Sequence, residues 1–198
     1  MAKLDITTQV RGIDRFLSTL DNPRHRLIIE NYRRHAIFEI TGFKEHIFTA
    51  DMTVEHPVYY INGGGLSATL SGIDEVLGFY SSLEARESTV MVVADEKLAV
   101  ADWGFASEAI FNSYMPGSQV APDLGADPGK LYIHRQVLAM VWPYDEKGRM
   151  IGEHVYEHAD HAELIEVSPE EYITLEEARE KLLPLQRPLP VLELRDGK

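Results

Sequence analysis

One stretch of the chain, residues 51–83, constrains the fold more than any other. Its first residues alternate in polarity, which predicts a β-strand with Met52, Val54 and His56 on one face. Pro57 has no backbone N–H, so the strand is expected to end there or to lie at the edge of a sheet. His56 is therefore predicted to point toward the core, where an ionisable ring needs a specific role.

A glycine-rich turn and an amphipathic helix follow this strand. The run from Asn62 to Gly65 predicts a loop, because consecutive glycines tolerate backbone conformations that other residues avoid. Ser71, followed three residues later by Asp74, then predicts the start of a helix. The apolar residues of that helix recur at helical spacing, at Ile73, Val76, Leu77, Tyr80 and Leu83.

The same stretch carries a resemblance to a known family. The string Asp51-x-Thr53-Val54-Glu55-x-Pro57-Val58, with Ile73, Phe79-Tyr80 and Ser82-Leu83 on the following helix, resembles the ketosteroid isomerases. Those enzymes belong to the nuclear-transport-factor-2-like superfamily, together with the SnoaL-like polyketide cyclases and the scytalone dehydratases. The resemblance implies a cystatin-like cone whose pocket binds a small molecule, and an isomerase or lyase that uses no cofactor.

The resemblance also implies roles for individual residues. His56 occupies the slot of the aspartate that moves the proton in the isomerases, and an imidazole titrates near neutral pH. Tyr32 falls on the family's oxyanion-hole tyrosine, whose hydroxyl donates to an oxygen that gains negative charge. The family's second oxyanion donor falls near Met140, which cannot donate. The alternatives are a core histidine bonded to the backbone for His56 and a half-buried aromatic side chain for Tyr32.

Composition and charge exclude several classes of function. A chain of 198 residues suits one domain, and a formal net charge of -13 repels nucleic acid and anionic membrane surfaces, so neither is expected as a partner. No apolar run is long enough to span a bilayer and the start MAKLDITTQV lacks the features of a signal peptide, which predicts a cytoplasmic protein. The absence of cysteine excludes disulfides and thiolate catalysis.

The periodicities along the chain predict three regions. Residues 1–21 are expected to form an N-terminal extension helix, residues 22–160 the SnoaL-like α+β cone, and residues 161–198 a C-terminal helix with an extended tail. Within the cone the order is helix, helix, strand, helix and then four strands joined as hairpins. This order predicts an α+β fold with a curved antiparallel sheet wrapped around helices.

The strand predicted at residues 131–144 offers further groups to the pocket. One face carries Tyr132, His134, Gln136, Leu138, Met140 and Trp142, and the other carries Ile133, Arg135, Val137, Ala139 and Val141. If the first set faces the cone, His134 protonates a leaving or product oxygen, in a two-histidine pattern that resembles the dehydratases. Gln136, Met140 and Trp142 would then contact the substrate. A polar side chain that reaches solvent near the end of the strand is the alternative for His134.

Four more residues are candidates for substrate contacts. His35 shares a helix face with Tyr32 and is either a pocket group or a surface residue. Trp103 is a candidate apolar wall, and Tyr60 a candidate contact near the glycine-rich turn. Glu153 either enters the pocket mouth or belongs to a solvated face.

No metal site is predicted. His154, His158 and His161 look like a ligand cluster, yet His154 and His158 would be about 13 Å apart along a continuous strand. That separation is too large for both to bind one ion.

These features predict a cofactor-independent proton-transfer enzyme, an isomerase, dehydratase or cyclase. Its substrate is expected to be a small, largely apolar carbonyl or hydroxy compound, such as a polyketide or steroid-like molecule. The alternative is a non-catalytic ligand-binding or structural subunit, because the β subunits of ring-hydroxylating dioxygenases share this fold.

The long strand also predicts self-association. Both of its faces are apolar, so one apolar face must point away from the cone and requires cover. An isologous contact buries that patch on two subunits at once, which predicts a homodimer with added contacts from the C-terminal tail.

Overall fold

The computed structural model describes residues 2–63, 65–120 and 124–191, which form four α-helices and seven β-strands. The helices are α1 (Thr8–Leu17), α2 (Pro23–Thr41), α3 (Ile73–Ala85) and α4 (Leu175–Leu182). The strands are β1 (Thr53–Gly63), β2 (Leu66–Ser71), β3 (Met91–Ala101), β4 (Gly104–Pro116), β5 (Leu131–Pro143), β6 (Met150–Glu157) and β7 (Glu163–Val167). The predicted α+β class is confirmed.

All of the described strands join one sheet in the order β2-β1-β6-β5-β4-β3, and β7 pairs with the first part of β5. The pairs are antiparallel except β1 with β6, which run parallel. The prediction of a wholly antiparallel sheet is therefore wrong for this pair. The chain between β1 and β6 is long enough to make the crossover that a parallel pair requires.

The first strand is longer than predicted. It continues through Pro57 to Gly63, where a hairpin leads into β2, a strand that the sequence pattern did not predict. The pairing of β1 with β6 shifts register between Thr53 and Val58, and this irregular segment holds the proline that cannot donate to a ladder.

The same register shift reverses the faces of β1. Tyr59 and Ile61 beyond it are buried, whereas His56 within it and Tyr60 beyond it are exposed. From Thr53 to Val58 β1 advances three residues more than β6 does from Met150 to Gly152, and an odd number of extra residues exchanges the two faces of a strand. The prediction that His56 shares the inward face of Met52 is wrong for this reason.

A second bulge lies in β3, at residues 95–97. The pairing with β4 shifts register between Ala94 and Lys97, and Asp95 has a φ of 50°. The strand resumes beyond the bulge with Glu96 facing inward, and the hairpin to β4 forms later, at residues 102–103. Gly104 is needed there because a Cβ would lie 2.0 Å from the carbonyl oxygen of Trp142.

The helices cover the inner face of the sheet. α2 begins after Asn22, whose side chain accepts from the backbone N–H of Arg24 at 2.9 Å, and it ends at Gly42, which has a φ of 73°. The main core unites residues of α1, α2 and α3 with β1 and β3–β6, and a second cluster forms around α4. Among the residues that the structure describes, no helix is both long and apolar enough to cross a membrane.

The first part of the predicted tail packs on its own chain. The backbone carbonyl of Leu185 accepts from the Arg33 guanidinium at 2.9 Å, and Arg187 pairs with Glu30 at 2.7 Å. Residues 192–198, the rest of the tail predicted to add dimer contacts, lie outside the described residues.

Candidate functional site

A cavity of about 610 Å³ lies between the inner face of the sheet and the helices α1, α2 and α3. Its volume falls within the range of about 300–1,000 Å³ that is usual for small-molecule sites. The lining is mainly apolar, with side chains such as Ile61, Leu70, Phe79, Phe111 and Leu138. Such a cavity suits a small and largely apolar ligand.

The two ends of the cavity differ in exposure. Lining residues at one end, among them Leu66, Glu75 and Arg86, are exposed and mark the opening. Trp142 and Tyr32, which lie deeper, are each 2% exposed. A ligand that enters past Arg86 therefore leaves bulk water before it reaches the inner wall.

Glu153 is the main ionisable group of the inner wall. It belongs to β6, opposite Tyr59 of β1, and is only 5% exposed. Burial raises the pKa of Glu153 well above its usual range, and the nearby charge of Glu39 raises it further. Both influences favour the protonated form of this carboxyl group, which can give its proton to a ligand.

Glu39 and His35 face the cavity region from one side of α2. They are four residues apart, and His35 Nε2 lies 3.5 Å from Glu39 Oε2. Glu39 lines the cavity, whereas His35 is fully buried behind it, with its ring edge-on to Trp142 at 5.1 Å. His35 therefore positions lining groups and does not meet a ligand directly.

Tyrosine hydroxyls surround the two carboxyl groups. Tyr80 lines the cavity, and its hydroxyl lies 3.1 Å from His35 Nε2 and bonds to the hydroxyl of Tyr59. Burial raises the pKa values of Tyr59, Tyr80 and Tyr144 well above their usual range. All three hydroxyls therefore keep their protons, although that of Tyr144 has no hydrogen-bond partner among the described atoms.

A separate hydrogen-bonded chain lies where α1 meets β3. The Gln9 amide nitrogen donates to the Tyr32 hydroxyl at 2.7 Å, and that hydroxyl contacts Glu96 Oε1. Burial raises the pKa of Glu96 to about 7, although hydrogen bonds from Tyr32 and Gln9 oppose the rise. Tyr32 itself is held protonated by burial and by the charge of Glu96.

Five of the residues predicted from sequence line the cavity: Tyr32, Gln136, Met140, Trp142 and Glu153. The even-numbered face of β5 is therefore the one that faces inward, a choice the sequence left open. Gln136 donates to Glu157 at 2.7 Å, which fixes its side chain at the edge of the cavity.

His56, the predicted base, is not one of the described lining residues. Its ring is exposed and lies 3.1 Å from the Ser71 hydroxyl on β2. The prediction that His56 and Tyr32 line one cavity is wrong, because the bulge in β1 turns His56 to the outer face. Proton transfer by His56 inside this cavity is incompatible with that placement.

Three other predicted contacts are also misplaced. His134 shares its strand face with Gln136, but it lies beyond the lining residues of β5 and is half-buried, and burial lowers its pKa. Tyr60 is 45% exposed on the outer face, with its ring centroid 4.7 Å from that of His154. Trp103 is 49% exposed because it belongs to the β3–β4 turn and not to a strand.

Three groups of this site were not predicted from the sequence. Glu39 was not named as a candidate, although its spacing of four residues from His35 was a usable signal. Tyr80 looked like an ordinary apolar position of α3. Glu96 belongs to the charged run Asp95-Glu96-Lys97 and had no recognisable signal, because only the bulge directs it inward.

Among the described residues, no group of three or more His, Asp or Glu side chains is arranged to hold a metal ion. His158 and His161 stack with ring centroids 4.3 Å apart, and His154 lies instead against Tyr60.

The sequence matches no family model and no curated protein sequence. Solved structures share its fold. An NTF2-like protein from Anabaena variabilis is 11% identical, with 70% of this chain and 92% of that chain covered and a TM-score of 0.51. A proposed polyketide cyclase from Xanthomonas campestris pv. campestris is 12% identical, with 69% and 94% covered and a TM-score of 0.51.

A third similar structure is a proposed SnoaL-like polyketide cyclase from Jannaschia sp. CCS1. It is 12% identical, 71% of this chain and 92% of that chain are covered, and the TM-score is 0.51. Identities this low bear on the fold alone. The mixed sheet, the helices on its inner face and these structural matches together show that the chain has the nuclear-transport-factor-2-like fold of the SnoaL-like proteins.

Proposed function

We propose that this protein is an enzyme of the isomerase, dehydratase or cyclase type, which transfers protons on a small, largely apolar carbonyl or hydroxy compound. The observation that carries the proposal is Glu153, a buried carboxyl group in the wall of a largely apolar cavity. A raised carboxyl pKa inside a cleft is typical of catalytic acids.

The two carboxyl groups are assigned complementary roles. Glu153, whose protonated form is favoured by burial, gives its proton to a ligand oxygen, while the carboxylate of Glu39 removes a proton from a neighbouring carbon atom. One proton leaves carbon and one reaches oxygen, so an enol forms without a net change of charge. Return of the Glu39 proton to a different carbon, with the enol O–H proton passing back to Glu153, isomerises the ligand. A hydroxyl group on the carbon next to the enol can instead leave as water with the proton from Glu39, while the enol O–H proton returns to Glu153, and the ligand is then dehydrated.

The charges of the lining restrict the ligand class. Three carboxyl groups, Glu39, Glu75 and Glu153, line the cavity, and Arg86 is the cation among the described lining residues. An anionic ligand would be repelled from the inner wall, whereas a neutral ketone or alcohol would be accepted. Proton transfer of this kind needs only acid and base side chains, so the proposal includes no cofactor.

The alternative function is a ligand-binding or structural subunit without catalysis. A purely structural subunit has no need of an open cavity, and here the cone retains about 610 Å³ of unfilled space. An experiment is needed to distinguish a protein that only binds a ligand from one that also catalyses proton transfer.

Solvent deuterium exchange provides that experiment. The protein is incubated in D₂O with 2-tetralone, a neutral bicyclic ketone, and incorporation of deuterium beside the carbonyl is followed by NMR, with thermal shift as the measure of binding. The proposal expects exchange faster than buffer and serum albumin controls. Binding of ketones without accelerated exchange would favour the binding role instead.

A further inference from the structure

The chain formed by Gln9, Tyr32 and Glu96 has no part in the proton transfers assigned to Glu39 and Glu153. Gln9 and Tyr32 both line the cavity, whereas Glu96 lies behind Tyr32. Glu96 Oε1 contacts the Tyr32 hydroxyl, and Glu96 Oε2 is buried with no hydrogen-bond partner among the described atoms. A buried carboxyl group that is bonded through only one oxygen is costly unless its protonation state serves a purpose.

The hydrogen bonds that Tyr32 can make depend on the protonation state of Glu96. A tyrosine hydroxyl has one proton to donate, and the Gln9 amide nitrogen can only donate to it. If Glu96 is ionised, Tyr32 must donate to Glu96 and has no proton for the cavity. If Glu96 is protonated on Oε1, Glu96 donates to Tyr32, and the Tyr32 proton becomes available to a ligand.

We propose that Glu96 is a positioning residue that sets the direction of the Tyr32 proton, so that the cavity gains a donor for a ligand carbonyl or hydroxyl oxygen only while Glu96 is protonated. This inference rests on the proposed function, because it assumes an oxygen-bearing ligand in the cavity. It assigns to Glu96, a residue outside the lining, control over which ligands the lining recognises.

The surroundings of Glu96 explain why its protonation state changes near neutral pH. Tyr32 faces it from α2 and the uncharged Gln9 from α1, while Glu39 acts on Tyr32 from the same helix. Its neighbours on β3, Asp95 and Lys97, are exposed, and Lys97 pairs with Glu108 of β4 on the outer face. The main influence is therefore burial, which holds the Glu96 pKa at about 7.

The first test needs no ligand. Protein labelled with ¹³C at the glutamate carboxyl carbon is titrated by NMR, and the Glu96 resonance is identified by its loss in Glu96→Gln. We expect a midpoint of about 7, and a higher midpoint in Tyr32→Phe, because that variant lacks a donor that stabilises the ionised form. A midpoint near the ordinary value of 4.5, or one unaffected by Tyr32→Phe, would overturn the proposal.

The second test compares two matched probes, 2-acetylnaphthalene with an acceptor oxygen and 2-ethylnaphthalene without one. Between about pH 6 and about pH 8 the wild-type affinity for the ketone should fall about fivefold, the usual worth of one hydrogen bond, and that for the hydrocarbon should not change. In Glu96→Gln, whose side chain does not titrate, the ketone should bind with no pH dependence over this range. An equal pH effect on both probes, or one that persists in Glu96→Gln, contradicts the assignment.

The two tests separate the failure of this inference from that of the proposed function. A cavity that binds neither probe argues against the proposed function, and the Glu96 midpoint then decides the role of Glu96 alone. If deuterium exchanges into 2-tetralone but Glu96 titrates with its ordinary midpoint of 4.5, the proposed enzyme activity stands and the control of Tyr32 by Glu96 is rejected.

Discussion

Glutamates on the inner face of the sheet and glutamates on the protein surface meet opposite electrostatic surroundings. Glu153 and Glu96 are buried, and burial is the largest influence that raises the pKa of each. Glu108 is exposed and bonded to Lys97 at 2.5 Å, which lowers its pKa. The pKa of exposed Glu55 is also lowered, by its own backbone and then by Arg149 at 2.9 Å.

The difference shows which carboxyl groups of this protein favour the protonated form. Glu108 lies beside a lysine and Glu55 beside an arginine, and these neighbours favour the ionised form of each. Within the cone, Glu153 meets the charge of Glu39 rather than a cation, so its protonated form is favoured. Three predictions test this contrast, and a fourth concerns the outer face of the sheet.

The largest effect is expected for Glu153→Gln. If Glu153 is the general acid, its replacement should slow deuterium exchange into 2-tetralone by on the order of 10² to 10⁴, because the amide cannot donate an acidic proton. The exchange rate is measured by NMR at matched protein concentration. Glu108→Gln serves as the matched control and should leave the rate unchanged.

His56→Ala sharpens the same prediction. The exposed His56 lies outside the described lining, so its loss should leave the rate within tenfold of wild type. A large loss in His56→Ala with a small one in Glu153→Gln would reverse the assignment of the site.

The second prediction concerns stability and pH. The pKa of Glu96 is higher in the folded state than its ordinary value of 4.5. The contribution of Glu96 to the free energy of unfolding is therefore fully present below pH 4.5 and is lost as the pH rises through about 7. A rise from 4.5 to about 7 corresponds to about 3 kcal/mol of unfolding free energy. Glu96→Gln should therefore lose this part of the pH dependence, as measured by urea unfolding at pH values across that interval. Identical pH profiles for the two proteins would show that Glu96 ionises normally.

The third prediction is the homodimer, which would cover the outer face of the sheet. Cross-strand pairs place Tyr60, His154 and Val141 side by side on this face, with Tyr156 next to the exposed Ala139. We propose that a second copy packs there, because an isologous contact buries this apolar patch twice.

Sedimentation at micromolar concentration tests the dimer. The wild type should have about twice the chain mass of 22.4 kDa, and Ala139→Glu should have the mass of one chain. Ser81→Glu, an exposed change on α3, is the control and should not alter the mass. A monomeric wild type would show that the outer face stays uncovered.

The smallest effect is expected for Glu108→Gln. The bond to Lys97 lowers the pKa of Glu108. The small contribution of Glu108 to the free energy of unfolding is therefore present above pH 4.5 and is lost as the pH falls. The pH dependence therefore has the opposite sign to that of Glu96. Calorimetric scans at acid and neutral pH should detect little change, because an exposed ion pair is screened by solvent.

Local periodicity predicted much of the scaffold. The spacing that brings Tyr32, His35 and Glu39 to one face of α2 depends only on helical geometry, and the cap residues Asn22 and Gly42 define the helix ends. The alternation in β5 likewise identified the set containing Trp142, although not the side to which it points. These features depend on residues that are close in the sequence, so the sequence alone was sufficient to predict them.

The sequence by itself therefore determined the fold class, the length of α2 and the alternation of the long strand. Only the tertiary structure decided which side chains enter the cavity, because the bulges in β1 and β3 depend on pairing with distant strands. Each irregularity adds an odd number of residues to its strand and so exchanges the two faces, which turned His56 outward and Glu96 inward. The protonation of Glu153 and Glu96 was decided in the same way, because a carboxyl pKa follows burial and neighbouring charge, and both arise only when the sheet closes over the helices.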